Sequence, residues 1–313
     1  MTPSSPDFSV VIPTYNRLPT LRNVLDSLGR QSSAPPFEVI VIDDGSSDDT
    51  ATTITRAIGD GHFSFPIRFE SQPNSGPGKA RNRGVAISAG KRIVFIGDDT
   101  VPEPAFLSEH DRIHRQSAYA PNVACLGYTG WPATERVTSF MDYINDYGLQ
   151  FGYRLIEDGT EVPFNFFYTS NISLDRALLI SNPFDSSFPA AAWEDIELAY
   201  RLQAAGLRII YNAGAITRHY HPITVDSFAQ RQYKVGKSGA VFYGKHPELG
   251  HFLGVHELEV RPAASSAAMM RLRLLARIGE RFKPFARPGT FETLMREHYL
   301  RGLREGLGKG QDP

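Results

Sequence analysis

The sequence predicts an α/β protein with a mostly parallel, Rossmann-like central sheet and helices on both of its faces. Short apolar runs rich in β-branched residues return about every 25 to 30 residues, and the segments between them carry apolar stripes of helical period. Because long helical segments rather than two-residue turns join the runs, the strands are expected to be parallel.

The first four strands are expected at Phe8 to Pro13 (FSVVIP), Phe37 to Asp43 (FEVIVID), Ile67 to Gln72 (IRFESQ) and Arg92 to Asp99 (RIVFIGDD). Leu18, Leu21, Leu25 and Leu28, with Val24 beside them, mark one stripe of a first helix; Asp49 to Ile58 and Gly78 to Ala89 supply two more. After Asp99 the alternation decays and aromatic residues become dense from Tyr119 to Phe188. Most of these are expected in a core, with a minority free to stack on a sugar ring. A helix from Trp193, a strand at Leu207 to Asn212, an extended AITRHYH segment and a helix from about Thr224 to Tyr243 follow. Beyond His256 the chain turns basic, and Met270, Leu274, Ile278 and Phe282 form a helical stripe. Such a helix either packs on the domain as an ordinary solvated helix, the expected arrangement, or associates peripherally with a membrane surface.

The 313 residues suffice for a large core. With 33 basic against 34 acidic side chains, the chain has no electrostatic footprint for nucleic acid. A single cysteine, Cys125, excludes an internal disulfide and a thiolate metal cluster, and points to a reducing compartment. The opening MTPSSPDFSV lacks a secretory pattern, and no apolar run approaches the roughly 20 residues of a membrane span. A soluble, cytoplasmic protein is expected.

In a parallel α/β sheet the ligand lies beyond the carboxyl ends of the strands. Those ends carry Pro13-Thr14-Tyr15-Asn16, Asp43-Asp44-Gly45-Ser46 and Asp98-Asp99. An apolar strand that stops in two adjacent carboxylates gathers negative charge at a sheet edge, which is costly without a cation. A second acidic pair, Glu194 and Asp195, opens a helix 95 residues after the first. His219 and His221 alternate along an extended segment and so share a face. His110 and His114 imitate a zinc motif but lack its order and a third ligand, so a solvated helix face is expected for them.

Taken together, SVVIPTYNR, VIDDGSSDDT, GPGKARNRG, FIGDDTVPEP, FYTSNISL, PFDSSF, WEDIELAYRL and HYH resemble, in that order, a family 2 glycosyltransferase of GT-A fold, a nucleotide-sugar-dependent inverting enzyme. The resemblance runs from about Phe8 to Gly244. It implies a catalytic domain over 1–244, with a nucleotide-binding half (8–100) and an acceptor half (101–244), and a basic helical extension over 245–313. It implies nucleotide contacts from Pro13, Thr14, Tyr15, Asp44, Arg81 and Asp98, with Lys79 and Arg83 as helpers; Asp43 is read mainly as a turn residue with Gly45. Asp99 and His219, or else His221, are implied as ligands of a Mn²⁺ or Mg²⁺ ion that meets the diphosphate. Asp195 is implied as general base with Glu194 as its understudy, and Asn171 stands in a further motif of the site. The family's commonest pattern has three acids where this chain has Gly97-Asp98-Asp99.

The resemblance implies transfer of a sugar from a nucleotide-sugar donor to a saccharide, lipid-linked or other hydroxyl acceptor. A UDP-sugar is favoured because Asp44 can accept the imino proton of uracil, with dTDP next. A nucleotidyltransferase would carry a Gly-rich basic loop where this chain has PTYNR, and a processive synthase would carry a membrane domain and a QxxRW motif. A non-catalytic carbohydrate- or nucleotide-binding protein of the same fold is the remaining alternative.

Overall fold

The computed structural model describes residues 5–116, 122–134, 136–188 and 192–308; Tyr119, at the edge of the aromatic-rich stretch, lies outside the described residues. The expected alternation opens the chain: β1 (Phe8–Thr14), α1 (Leu18–Leu28), β2 (Phe37–Asp43), α2 (Thr50–Gly59), β3 (Ile67–Ser71), α3 (Pro77–Ile87) and β4 (Arg92–Ile96). Then come β5 (Thr100–Pro102), α4 (Phe106–Gln116), β6 (Val123–Gly130), α5 (Ser139–Asp146), β7 (Glu161–Val162), β8 (Asn171–Asp175), α6 (Arg176–Ser181) and α7 (Glu194–Gln203). The chain closes with β9 (Arg208–His219), α8 (Val225–Lys245), α9 (Glu257–Val260), α10 (Ser266–Arg281) and α11 (Pro288–Gly306). Two compact units result: Met1–Thr134 with Ile156–Ser186 and Glu194–His221, and Glu135–Leu155 with Ser187–Trp193 and Pro222–Pro313.

The first unit holds the sheet, in strand order β3-β2-β1-β4-β8-β6-β9-β5 with β7 on β9. β3, β2, β1 and β4 run parallel, and β1 and β2 are buried along nearly their whole length, as strands covered on both faces must be. Val10, Ile12, Val39 and Val41 pack with Leu21, Val24, Leu25 and Leu28, so the stripe predicted for the first helix is its core face. The pairing of Thr14 with Asp43 brings the first two strand ends side by side. Past β4 the directions mix: β8 is antiparallel to β4 and to β6, and β5 is antiparallel to β9. β9 runs on to His219, well past the expected end at Asn212: the register with β6 slips across Ala213, Gly214 and Ala215, a stretch of poor strand propensity, and pairing resumes at Ile216 with β6 and at Thr217 with β5.

The second unit is helical. Thr224 caps α8 with a reciprocal side-chain and backbone pair, and Ser265 caps α10. Phe140 of α5 meets Phe228 of α8 and Phe291 of α11, with ring centroids 5.7 and 5.1 Å apart. α8 and α11 approach so closely that a Cβ on Gly236 would strike the Tyr299 carbonyl, and one on Gly302 the Tyr233 carbonyl. The boundary expected after Gly244 is therefore not a break in packing: α8 runs through Lys245 and is the partner of α11. α10 also departs from expectation. Its inward positions are Ala276 and Gly279, while Met270, Leu274 and Phe282 of the apolar stripe face solvent. No helix among the described residues is long and apolar enough to cross a membrane.

Candidate active site

β4 delivers Asp98 and Asp99 through a tight turn in which the Gly97 N–H donates to Thr100 Oγ1 at 2.7 Å. The sheet then surrounds both carboxylates. Thr14, at the end of β1, donates to Asp98 Oδ2 at 2.8 Å. Arg17 donates from Nη1 to Asp98 Oδ1 at 3.3 Å and pairs with Asp99 Oδ2 through the same nitrogen. β5 pairs Thr100 with His219, and the Tyr220 N–H donates to the Asp99 carbonyl at 2.8 Å. His219 Nε2 is thereby held 3.4 Å from Asp99 Oδ2. The His219 ring stacks on Trp131 at 5.4 Å and on His221 at 5.8 Å.

This environment separates the two acids. Burial and the neighbouring Asp99 charge push the Asp98 carboxyl up to about 6, against the pull of Arg17, Thr14 and the Tyr15 N–H. Burial acts in the same sense on Asp99, but His219, Arg17 and His221 override it and hold that carboxyl well below the ordinary range. Asp99 is thus the more acidic member. Gly97 leaves it room, since a Cβ there would stand 2.9 Å from Asp99 Oδ1.

The second strand end is organised by its own acids. Asp43 accepts from the Ser46 N–H at 3.0 Å and from Ser71 Oγ at 3.1 Å, the turn role expected of it, while Gly45 takes the positive φ of 82°. Asp44 accepts from Gln72 Nε2 (2.7 Å) and from the Ser75 (2.9 Å) and Gly76 (2.8 Å) N–H groups. These bonds shape the 72–76 loop and take three of the carboxylate's four lone-pair sites. Asn16 links the first two strand ends by accepting from the Ser47 N–H at 2.7 Å.

On α3, Arg81 is buried and turned onto Glu194: Nη1 donates to Oε1 at 2.9 Å, with Phe184 beneath the guanidinium. Burial, then the adjacent Asp195 charge, push the Glu194 carboxyl up to about 6 against the pull of Arg81. Asp195 is the more accessible of the two and accepts from Thr169 through N–H (3.4 Å) and Oγ1 (3.3 Å). Lys79 is exposed, and Arg83 pairs with Glu70 at 2.6 Å on the helix surface. Pro13 is half-buried and Tyr15 is exposed at the mouth of the first strand end.

Three residues sit elsewhere than the sequence suggests. Asn171 does not reach the acids: it is fully buried and donates to the Tyr128 (3.0 Å) and Ala215 (2.8 Å) carbonyls. His110 and His114 are not on a solvated face but under the sheet. Since the Asn171 amide nitrogen is spent on carbonyls, its Oδ1 must accept from His110 Nε2 (3.0 Å). His110 Nδ1 then accepts from Ser173 Oγ (2.8 Å), which in turn accepts from His114 Nε2 (2.7 Å). Burial holds His110 down at about 4 and His114 at about 2, so both rings are neutral. The helix spacing was legible; the strand waiting beneath it was not. Sequence reasoning also passed over Arg17, for which no local pattern indicates a partner, and placed Trp131 only within the aromatic-rich stretch.

Among the described residues no cluster of three or more His, Cys, Asp or Glu side chains could hold a metal alone. Asp99 Oδ2 and His219 Nε2 instead offer two donors 3.4 Å apart. That set fits an ion such as Mg²⁺ or Mn²⁺, which leans on one or two protein ligands and fills the rest of its shell with water and substrate phosphate.

Parallel strands that carry acids to one sheet edge, continued by mixed strands, form the architecture of GT-A fold transferases. The sequence profile of glycosyl transferase family 2 matches residues 9–160 of the chain. The chain is 32% identical over 225 residues to the validoxylamine A glucosyltransferase of Streptomyces hygroscopicus subsp. limoneus, covering 64% of this chain and 49% of that one. The chain thus spans about half the length of the curated relatives it matches. The mannosyltransferase PcManGT from Pyrobaculum calidifontis, solved with GDP-Man and Mn²⁺, superposes with a TM-score of 0.63 at 18% identity over 99% of this chain and 89% of that chain. Staphylococcus aureus TarS 1-349 in complex with UDP superposes with a TM-score of 0.55 at 17% identity over 96% of this chain and 90% of that chain. At such identities the likeness to the solved structures is one of fold.

Proposed function

We propose that this chain transfers a sugar from a nucleoside diphosphate donor, a UDP-sugar by preference, to an acceptor hydroxyl with inversion at the anomeric carbon, one residue at a time. The observation that carries the reading is the ionised Asp99 at the end of β4, facing His219 at 3.4 Å and Arg17 on the same oxygen. A carboxylate and an imidazole that can share a counter-ion, beside a guanidinium that can face a phosphate oxygen, suit a diphosphate and its counter-ion. A divalent ion, when bound, neutralises charge on the leaving diphosphate; Asp99 and His219 are the residues that would hold it.

Asp195 acts as the general base. It takes the acceptor hydroxyl proton while that oxygen bonds to the anomeric carbon and the bond to the diphosphate breaks. Arg81 and Glu194 hold the start of α7 rigid beneath it. Thr14 fixes Asp98, the candidate ribose contact, and Asp44 keeps one lone-pair site for an imino N–H of uracil. The solved relatives bound to UDP or to GDP-Man with Mn²⁺ support a nucleotide donor and a divalent ion. We place the enzyme in the cytoplasm, in assembly of cell-surface polysaccharide or another glycoconjugate.

Nucleotide release from a panel of UDP-, dTDP- and GDP-sugars, with Mn²⁺ or excess chelator, tests this, together with calorimetry on UDP and ADP. Transfer that is lost in chelator and in Asp99→Asn is expected, as is a UDP affinity that falls about 10- to 150-fold in Asp44→Ala. Tight UDP binding without transfer to any acceptor would favour the non-catalytic alternative, and equal affinity for ADP would remove the uridine assignment.

A further inference from the structure

α10 is mounted inside out. An amphipathic helix in a globular unit normally turns its apolar stripe inward, yet Met270 and Leu274 are 73% and 60% exposed. Ile278 is only partly covered, and Phe282 and Phe285 continue the exposed strip past the helix end. The inward face is made of small residues instead. A Cβ on Gly279 would stand 3.0 Å from Ala286 Cα, so the returning chain fills the place that large side chains would need. Arg273 and Arg277 anchor the inner edge to Asp226, at the start of α8, and Glu280 accepts from the Val225 N–H at 3.0 Å.

The charge on the outer face is one-sided. Between Glu259 and Glu292 the sequence has seven basic residues and one acid, Glu280, which is already bonded to backbone. Arg271, Arg281, Lys283 and Arg287 are exposed, and among the described residues none has a carboxylate within ion-pair distance. Isolated exposed apolar side chains need no explanation, but a contiguous strip bordered by unpaired cations does. A second copy seated on this face by a two-fold axis would set arginines against arginines. An anionic lipid surface matches both halves of the pattern, taking the apolar side chains below its headgroups and the cations among its phosphates.

We infer that the outer face of α10 and the turn after it docks the protein on an anionic phospholipid bilayer. The surface lies within the helical unit and is independent of the sugar-transfer reading. Co-sedimentation of the full chain with phosphatidylcholine vesicles, with and without phosphatidylglycerol, tests it. Binding to the anionic vesicles should be at least about tenfold tighter than to the neutral ones and should weaken with salt. Leu274→Glu with Phe282→Glu, and separately Arg271→Glu with Arg281→Glu, should each cost about tenfold or more, with the thermal melt unchanged because all four positions are exposed. Failure to bind anionic vesicles, equal binding to neutral ones, or parent-like binding by either variant would overturn the inference. Self-association of the parent in sedimentation velocity that Leu274→Glu abolishes, without vesicle binding, would assign the face to a second copy and overturn it too.

Discussion

Asp99 Oδ2 receives both the Arg17 guanidinium and the His219 imidazole, so a divalent ion approaching that oxygen meets a cation already in place. Removing one like charge from beside the ion is worth at least about 1.4 kcal/mol at protein-surface dielectric, or tenfold in affinity. Arg17→Gln should therefore bind Mn²⁺ more tightly in the absence of nucleotide, read by electron paramagnetic resonance; unchanged or weaker binding would show that Arg17 supports the ion site rather than competing for it. Asp195→Asn should leave UDP-sugar affinity nearly unchanged and lower turnover by about 10² to 10⁴. Turnover within threefold of the parent would move the base elsewhere. The buried histidines give a pH prediction. An unfolded histidine takes its proton near 6.5 and His110 in the fold only near 4. Between those values the unfolded state binds more protons, and stability falls as pH drops, through His110 alone by about 2 kcal/mol at pH 5 and about 3 below pH 4, with His114 adding to the loss in the same sense. Urea unfolding at pH 7.5 and pH 5 should show that loss in the parent and a smaller one in His110→Gln.

At the scale of elements, the tightest requirement is on α8 and α11, whose backbones meet at Gly236 and Gly302. Alanine at Gly302 would gain about 1 kcal/mol of helix propensity but must force apart two backbones with no flexible side chain to yield. A net loss of about 1 to 2 kcal/mol is expected in chemical denaturation, and a neutral or stabilised Gly302→Ala would mean that the helices are less closely packed. β9 makes the same point for the sheet. Its propensity fades at Ala213-Gly214-Ala215, where the register with β6 slips, yet the strand resumes at Ile216 because β6 and then β5 offer paired partners. That continuation carries His219 to Asp99.

Across the whole molecule, every proposed donor-site residue, from Thr14 to His219, belongs to the sheet-bearing unit. UDP with Mn²⁺ should accordingly slow amide exchange in the strand-end loops around 13–17, 43–48, 72–76 and 97–101, and leave α8, α10 and α11 unchanged. Protection confined to the helical unit would place the nucleotide elsewhere.

Much of this was legible in the chain. Continuous apolar runs and 3.6-residue stripes state their own secondary structure, and acids at strand ends lie beside one another in any parallel sheet, so β1 to β4, their helices and the Asp98-Asp99 edge followed from local pattern alone. Periodicity declares that a stripe exists but not what it faces. Tertiary contacts between residues far apart in sequence therefore decided the rest. They set Arg17 on the carboxylate pair, Arg81 on Glu194, and Asn171 and His110 on one another beneath the sheet. They also decided that α10 turns its small residues inward and its apolar stripe to solvent, because the chain returning at Phe285 and Ala286 fills the space that a side chain at Gly279 would need.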